Sequence, residues 1–153
     1  MANNVLNRIK IKGDKDDIAI FLQKCPIDDK GEKVFSFNQF IPMPENPIPN
    51  WYDWSIEHWG TKWDARDSAV IELDDGDLEL IFISPWSCPL IGLKEVSKLF
   101  PNLVFEGGYA CEFIPSDCGK IYIKNGILKE KDMEGDVDFA CSIWGEDPAE
   151  WQE

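Results

Sequence analysis

The spacing of apolar residues changes at recognisable points along the chain, and each change marks an element. Between Val5 and Lys12 apolar and polar positions alternate from Arg8 onward, as in a half-buried strand. Gly13 and Asp14 break the alternation. Ile18, Phe21, Leu22 and Cys25 then recur at helical spacing. Asp14 stands where an N-cap belongs, Asp16 and Asp17 sit at the positive end of the helix dipole, and Pro26 ends the helix.

A second regime follows. Val34 to Asn38 is a short extended piece that runs into Ile41 to Pro49, with prolines at 42, 44, 47 and 49. That stretch excludes helix and predicts a stiff polyproline-like connector. Asn50 is placed to cap a short helix over Trp51 to Trp59, ended by Gly60. Two β-rich runs, Ser68 to Leu73 and Leu78 to Ile83, flank Asp74-Asp-Gly-Asp77 and predict a hairpin. Leu90, Leu93, Val96 and Leu99 or Phe100 line one face of a helix closed by Pro101. A strand resumes at Leu103 and continues through Gly107-Gly108 toward Tyr109 and Phe113. Lys120 to Lys124 and Ile127 to Lys129 then flank Asn125-Gly126, a second hairpin.

Strand, helix, strand, strand, helix, strand is the ferredoxin-like order, an antiparallel sheet with both helices on one face. The expectation is one α+β domain over residues 1–153. It carries a Pro/Trp-rich insertion at about 34–66, an extra C-terminal hairpin and an acidic extension over about 130–153.

Composition narrows the chemistry. With 44% hydrophobic residues the 153-residue chain can bury a core, which excludes disorder. Its 15 Lys+Arg against 29 Asp+Glu give a net charge of −14. Such a charge repels phosphate backbones, so no direct nucleic-acid binding is expected. The N-terminus lacks the basic-then-apolar pattern of an export signal, and no run reaches membrane-spanning length, so a cytoplasmic protein without membrane contact is expected. Five cysteines, an odd number, then read as reduced, buried thiols. Their spacing, with a single histidine, suits neither a zinc site nor an iron–sulfur cluster; neither metal nor cofactor is expected.

Several segments carry a resemblance: Phe35 to Asn38, Ile41 to Pro44, Trp54 with Glu57-His-Trp-Gly-Thr-Lys-Trp-Asp-Ala65, Ile83 to Pro89, and Leu99 to Asn102. Together they resemble the YubB-type ferredoxin-like domain of uncharacterised phage- and plasmid-borne proteins. The resemblance reaches from the start of the chain to about Phe113 and implies the same fold. It brings no activity and no catalytic residues, and the acidic tail after Lys131 lies outside it.

The richest candidate site is Trp51 to Asp64. The sole histidine, His58, has the carboxylates of Glu57 and Asp64 near it in sequence, the makings of an acid–base pair. The same histidine equally suits an aromatic core with its ring nitrogens bound to backbone. Trp51, Trp54, Trp59 and Trp63, joined by Trp86, are candidates for a ligand groove that stacks on a flat or cationic partner; they suit core filling as well. Lys62 and Arg66 are expected to pair with Asp64 and Asp67. From Glu130 to Glu153 nine acids and one lysine give a net charge of −8, although Phe139, Ile143, Trp144 and Trp151 imply that part of this tail packs down. Three readings follow. The first is a non-enzymatic binding module of a mobile element that presents its aromatic surface to a protein or small ligand. The second is an enzyme built on His58, and the third an acidic DNA-mimic decoy.

Overall fold

The structure, a computed structural model, describes residues 3–151. Six strands form one antiparallel sheet: β1 (Asn4–Lys12), β2 (Arg66–Glu72), β3 (Leu78–Pro85), β4 (Val104–Cys111), β5 (Cys118–Lys124) and β6 (Ile127–Asp132). Their spatial order is β2-β3-β1-β4-β5-β6, so the first strand lies in the middle. The helices are α1 (Lys15–Lys24), α2 (Phe37–Phe40), α3 (Trp51–His58), α4 (Leu90–Leu99) and α5 (Val137–Trp144), followed by a 3-10 turn over Pro148–Trp151. No helix among the described residues is long and apolar enough to cross a membrane.

Alternation along β1 sends Val5, Ile9 and Ile11 into the larger core and Leu6 into a smaller one on the opposite face. Helices α1 and α4 cover the larger core with Ile18, Phe21, Leu93 and Val96. Phe21, fully buried, packs within 6.5 Å of Phe35, Phe40, Phe100 and Phe105, ring centroid to centroid. Of the two residues the spacing left open at the end of α4, Phe100 is buried and Leu99 is exposed. Strand β4 runs unbroken through Gly107 and Gly108, and the hairpins β2–β3 and β5–β6 form as their turn residues require.

Two local expectations are corrected. Asp14 occupies the N-cap position of α1, but its side chain makes no capping bond. Phe37 and Asn38 are not extended; they open the single helical turn of α2. Part of the acidic tail packs down, as its apolar residues imply, in the form of α5, whose N-terminus is capped by Asp136 through the Phe139 amide and whose C-terminus ends at Gly145 in the left-handed region, φ 72°. This helix lays Ala140 and Ile143 over Leu6, Ala110 and Cys118. The Trp144 indole donates to the Ala110 carbonyl at 2.9 Å. Arg8 Nε donates to the Ile143 carbonyl at 3.0 Å, placing a cation at the negative end of the helix. Truncation after Lys131 therefore strips the cover from the second core as well as the charge, and would not isolate a decoy role.

Chain 33–65 is tied down at both sides. The Val70 amide donates to the Lys33 carbonyl, and the Ser68 hydroxyl bridges the Phe35 amide and carbonyl, so the β2 edge is partly covered. On the other side α3 meets α4 at Gly92, whose amide donates to the Trp59 carbonyl at 3.0 Å. A Cβ at position 92 would lie 2.5 Å from that carbonyl and 2.7 Å from the Phe37 ring. Alanine is the better helix former by about 1 kcal/mol, but neither neighbour can yield without breaking the contact. Gly92→Ala is expected to destabilise by about 1–2 kcal/mol, read as a lower denaturant midpoint at unchanged slope; a gain in stability would show that α3 and α4 do not pack this closely.

Candidate functional site

Asn50 caps α3, its side chain accepting from the Asp53 amide at 2.9 Å, and the helix turns Trp54 inward and Trp51 outward. His58 lies one turn beyond Trp54. Its ring stacks on the Trp54 indole at 4.3 Å, and its Nδ1 is 3.0 Å from the Trp54 carbonyl. A carbonyl only accepts, so Nδ1 carries the proton and Nε2 is left as the basic nitrogen.

Neither expected carboxylate reaches that ring. Glu57 is exposed and adjacent in sequence, and neighbouring residues on a helix do not face one another. Asp64 is engaged elsewhere: its carboxylate accepts from Ser36 Oγ at 2.6 Å and from the amides of Phe37 at 2.6 Å, Asn38 at 3.2 Å and Ala65 at 2.7 Å. It thereby holds the start of α2 against the loop before β2. The His58–carboxylate pair read from the sequence does not form, and His58 takes the packed, backbone-bonded position that was its other reading.

The five tryptophans separate into two pairs and a lone residue, Trp51. Trp54 and Trp59 are buried, 8% and 5% exposed, edge to face at 5.3 Å, with the Trp59 indole donating to the Ile41 carbonyl. They belong to the core beside Phe37 and line no groove. Trp51 is exposed and meets Tyr52 edge-on. Trp63 and Trp86 form the other pair. Lys62 Nζ lies 5.2 Å from the centroid of each ring, and the Arg66 guanidinium lies 3.7 Å from that of Trp63. Lys62 and Arg66 thus sit on indoles, and neither makes the expected ion pair with Asp64 or Asp67 among the described residues.

Trp86 has an unusual backbone. Its φ is 68°, in the left-handed region that bulky residues avoid, and the side chain is 44% exposed. Beside it in the chain the buried side chains of Asn7 and Ser84 are bonded to each other and on to the exposed Ser87. Asn7 Nδ2 donates to Ser84 Oγ at 2.9 Å, and Ser84 Oγ donates to the Ser87 carbonyl at 2.8 Å. The Trp86 amide donates to the Asn3 carbonyl at 2.8 Å.

All five cysteines are free and buried. Burial pushes the Cys25 thiol up to about 12 despite Lys33 nearby, and lifts Cys88 well above the ordinary thiol range, so neither is a nucleophile at neutral pH. Cys111 and Cys118 are close in sequence but belong to the cores on opposite faces of the sheet. Among the described residues no three His, Cys, Asp or Glu side chains gather as a metal-ligand set.

Sequence reasoning missed two surfaces. One is an acidic cleft of about 410 Å³ lined by Tyr109, Asp117, Glu130, Asp132 and Glu134. Here the Tyr109 hydroxyl donates to Glu130 Oε2 at 2.6 Å. The other is a cleft of about 290 Å³ beside α5, lined in part by Arg8, Lys120 and Phe139. His58 lines neither.

Residues 58–152 match the family model described as the ferredoxin-like domain in Api92-like protein, so the match takes in the acidic tail that the resemblance had left out. Among solved structures the chain is similar to protein Api92 from Yersinia pseudotuberculosis, with 17% identity and a TM-score of 0.50. The alignment covers 63% of this chain and 39% of that one, and at such identity the likeness speaks to the fold alone. Curated proteins give no match.

Two outcomes test this geometry. Asp64→Ala leaves two amides and a hydroxyl at the start of α2 without their acceptor and is expected to cost about 2–3 kcal/mol of stability in denaturant unfolding; no loss would release Asp64 from this structural role. In the acidic cleft, burial and then the charges of Glu134, Asp132 and Glu130 raise the pKa of Asp117. A carboxyl raised in the folded state destabilises once ionised, so stability falls as pH rises through its folded pKa. Asp117→Asn is expected to raise Tm at pH 7 and to lose that advantage below about pH 4, the unfolded range of an aspartate; an equal gain at both pH values would assign the effect to packing.

Proposed function

From the premise that this chain belongs to the family of the ferredoxin-like domain in Api92-like protein, we propose that it is a non-enzymatic binding module whose contact surface is built on Trp86, Trp63, Lys62 and Arg66. The observation that carries the reading is the presentation of Trp86. A bulky residue in the left-handed region costs on the order of 1–3 kcal/mol and persists only where its surroundings hold it. Asn7, Ser84 and Ser87 supply that hold, while Trp86 itself stays partly exposed with Lys62 on its ring. Large exposed aromatics flanked by cations are the side chains that dominate contact energies between proteins.

The surface also selects its partner. Lys62 and Arg66 already lie on the indoles, so a cationic ligand finds those seats taken. Both cations lack a carboxylate among the described residues, which favours a protein segment combining apolar and acidic side chains. The rival enzyme reading is weakened because His58 has a backbone carbonyl and an indole for neighbours. The proposal extends to a mobile-element protein of YubB type acting in the cytoplasm, supported by the blocks His58 to Ala65 and Ile83 to Pro89.

The test is capture from a lysate of the native host, followed by titration with whatever purified partner is retained. Trp86→Ser is expected to weaken that partner at least tenfold, as removal of a central aromatic does, and His58→Gln to leave it within about twofold. Retention that survives Trp86→Ser, or depends on His58 instead, overturns the reading.

A further inference from the structure

Charge is not spread evenly over this molecule. On β1, alternation turns Arg8, Lys10 and Lys12 to the face opposite the phenylalanine core. The register of β5 and β6 brings Lys120, Lys124, Lys129 and Lys131 to that same face. Seven of the 15 Lys+Arg residues, 8, 10, 12, 120, 124, 129 and 131, therefore share one sheet face of a chain with net charge −14. Glu130 and Asp132 of the same hairpin turn to the other face and line the acidic cleft.

The cations of β1 have partners: Arg8 pairs with Glu79 at 3.0 Å, Lys10 with Asp75 at 2.8 Å, and Lys12 with Glu106. Lys120, Lys124, Lys129 and Lys131 make no ion pair among the described residues; Lys120 Nζ lies 5.9 Å from the Phe139 ring centroid at the edge of α5. Lys120 stands directly opposite Lys131 across the β5–β6 pair, an arrangement that repels unless an anion lies between them. Within this group Tyr122 is 37% exposed, two residues from both Lys120 and Lys124, with Lys129 Nζ 5.9 Å from its ring centroid. Helix α5 covers only one end of the face, and beside it opens the cleft of about 290 Å³, walled by Phe139 and Ile143 and floored by Gly107 and Gly108.

We propose that this open half of the sheet binds single-stranded nucleic acid, with phosphates against Lys120, Lys124, Lys129 and Lys131 and a base stacked on Tyr122. Charge complementarity calls for an anion, and the ring set among the lysines favours one with flat bases over an acidic peptide. A duplex keeps its bases stacked inside and cannot use that ring. The proposal runs against the expectation drawn from net charge, which describes repulsion at a distance. At physiological salt that repulsion is screened beyond about 8 Å, so the lysines of this face govern what touches it. The surface is separate from the one around Trp86.

The test is fluorescence anisotropy of the whole chain with a labelled short oligo-dT, alongside a labelled poly-glutamate peptide, over a range of salt. Binding of the oligonucleotide is expected, weakening steadily with salt. The double variant Lys120→Gln/Lys131→Gln should lower affinity about tenfold or more near 0.1 M salt and flatten the log–log salt slope by about 1.4, at roughly 0.7 per phosphate contact. Tyr122→Leu should lower affinity about fivefold or more at an unchanged slope, because stacking is not ionic. Both variants change exposed side chains, and the first relieves a repulsion, so Tm should hold or rise; Trp86→Ser should bind as the unaltered chain does. Absence of oligonucleotide binding at low salt, equal binding by the lysine variant, or poly-glutamate bound as tightly as oligo-dT each overturns the proposal.

Discussion

Everything in this molecule is organised by the two-residue period of β1. The strand lies between β3 and β4 and pairs with both along nearly its whole length. A slip of one residue would drive Arg8, Lys10 and Lys12 into the phenylalanine core and turn Ile9 and Ile11 out, at a cost no local adjustment could offset. The same alternation places Leu6 where α5 must cover it and Arg8 where it can meet the last turn of that helix. One strand thus sets the larger core, the smaller core and the segregation of charge between the faces.

The aromatic segment shows how one composition serves two purposes. Trp54 and Trp59 join α3 to the phenylalanine cluster and to the carbonyl of Ile41, making the long connection between α1 and β2 part of the core. Trp86 stays at the surface and Trp63 lies half-buried nearby, both with cations on their rings. Gly92 lets α4 come close enough for the first arrangement. The buried Asn7–Ser84 pair, bonded on to the Ser87 carbonyl, sustains the second.

Much of the fold was legible in the chain because periodicity and turn chemistry are local. Alternation in β1, the helical spacing of α1 and α4, the Asn50 cap and the Asn125-Gly126 turn each announce themselves within a few residues. The sites were less legible because they depend on distant partners. Nothing near Asp64 in sequence says that it will serve Ser36, Phe37 and Asn38. Nothing in the spacing of the tryptophans separates Trp59 from Trp63. Net charge concealed the basic face because a sum carries no direction; the signal was present in Arg8, Lys10 and Lys12 at every second position, but only the pairing of β5 and β6 shows which other lysines join them. Helix α5 had its own markers in Asp136, the apolar run from Ala140 to Trp144, and Gly145.

The central place of β1 also sets an order of events during synthesis. Val5 is made well before either of its partners across the two neighbouring strands, Ser84 and Cys111. A ribosome adding about 5–20 residues each second leaves that strand without either neighbour for several seconds, its apolar side chains available to any other surface. The stretch that matches the family begins at His58, after β1 has been made. Expressed alone it would hold two ribbons, β2–β3 and β4–β5–β6, with nothing to join them. The matched stretch is therefore shorter than the sheet its strands belong to.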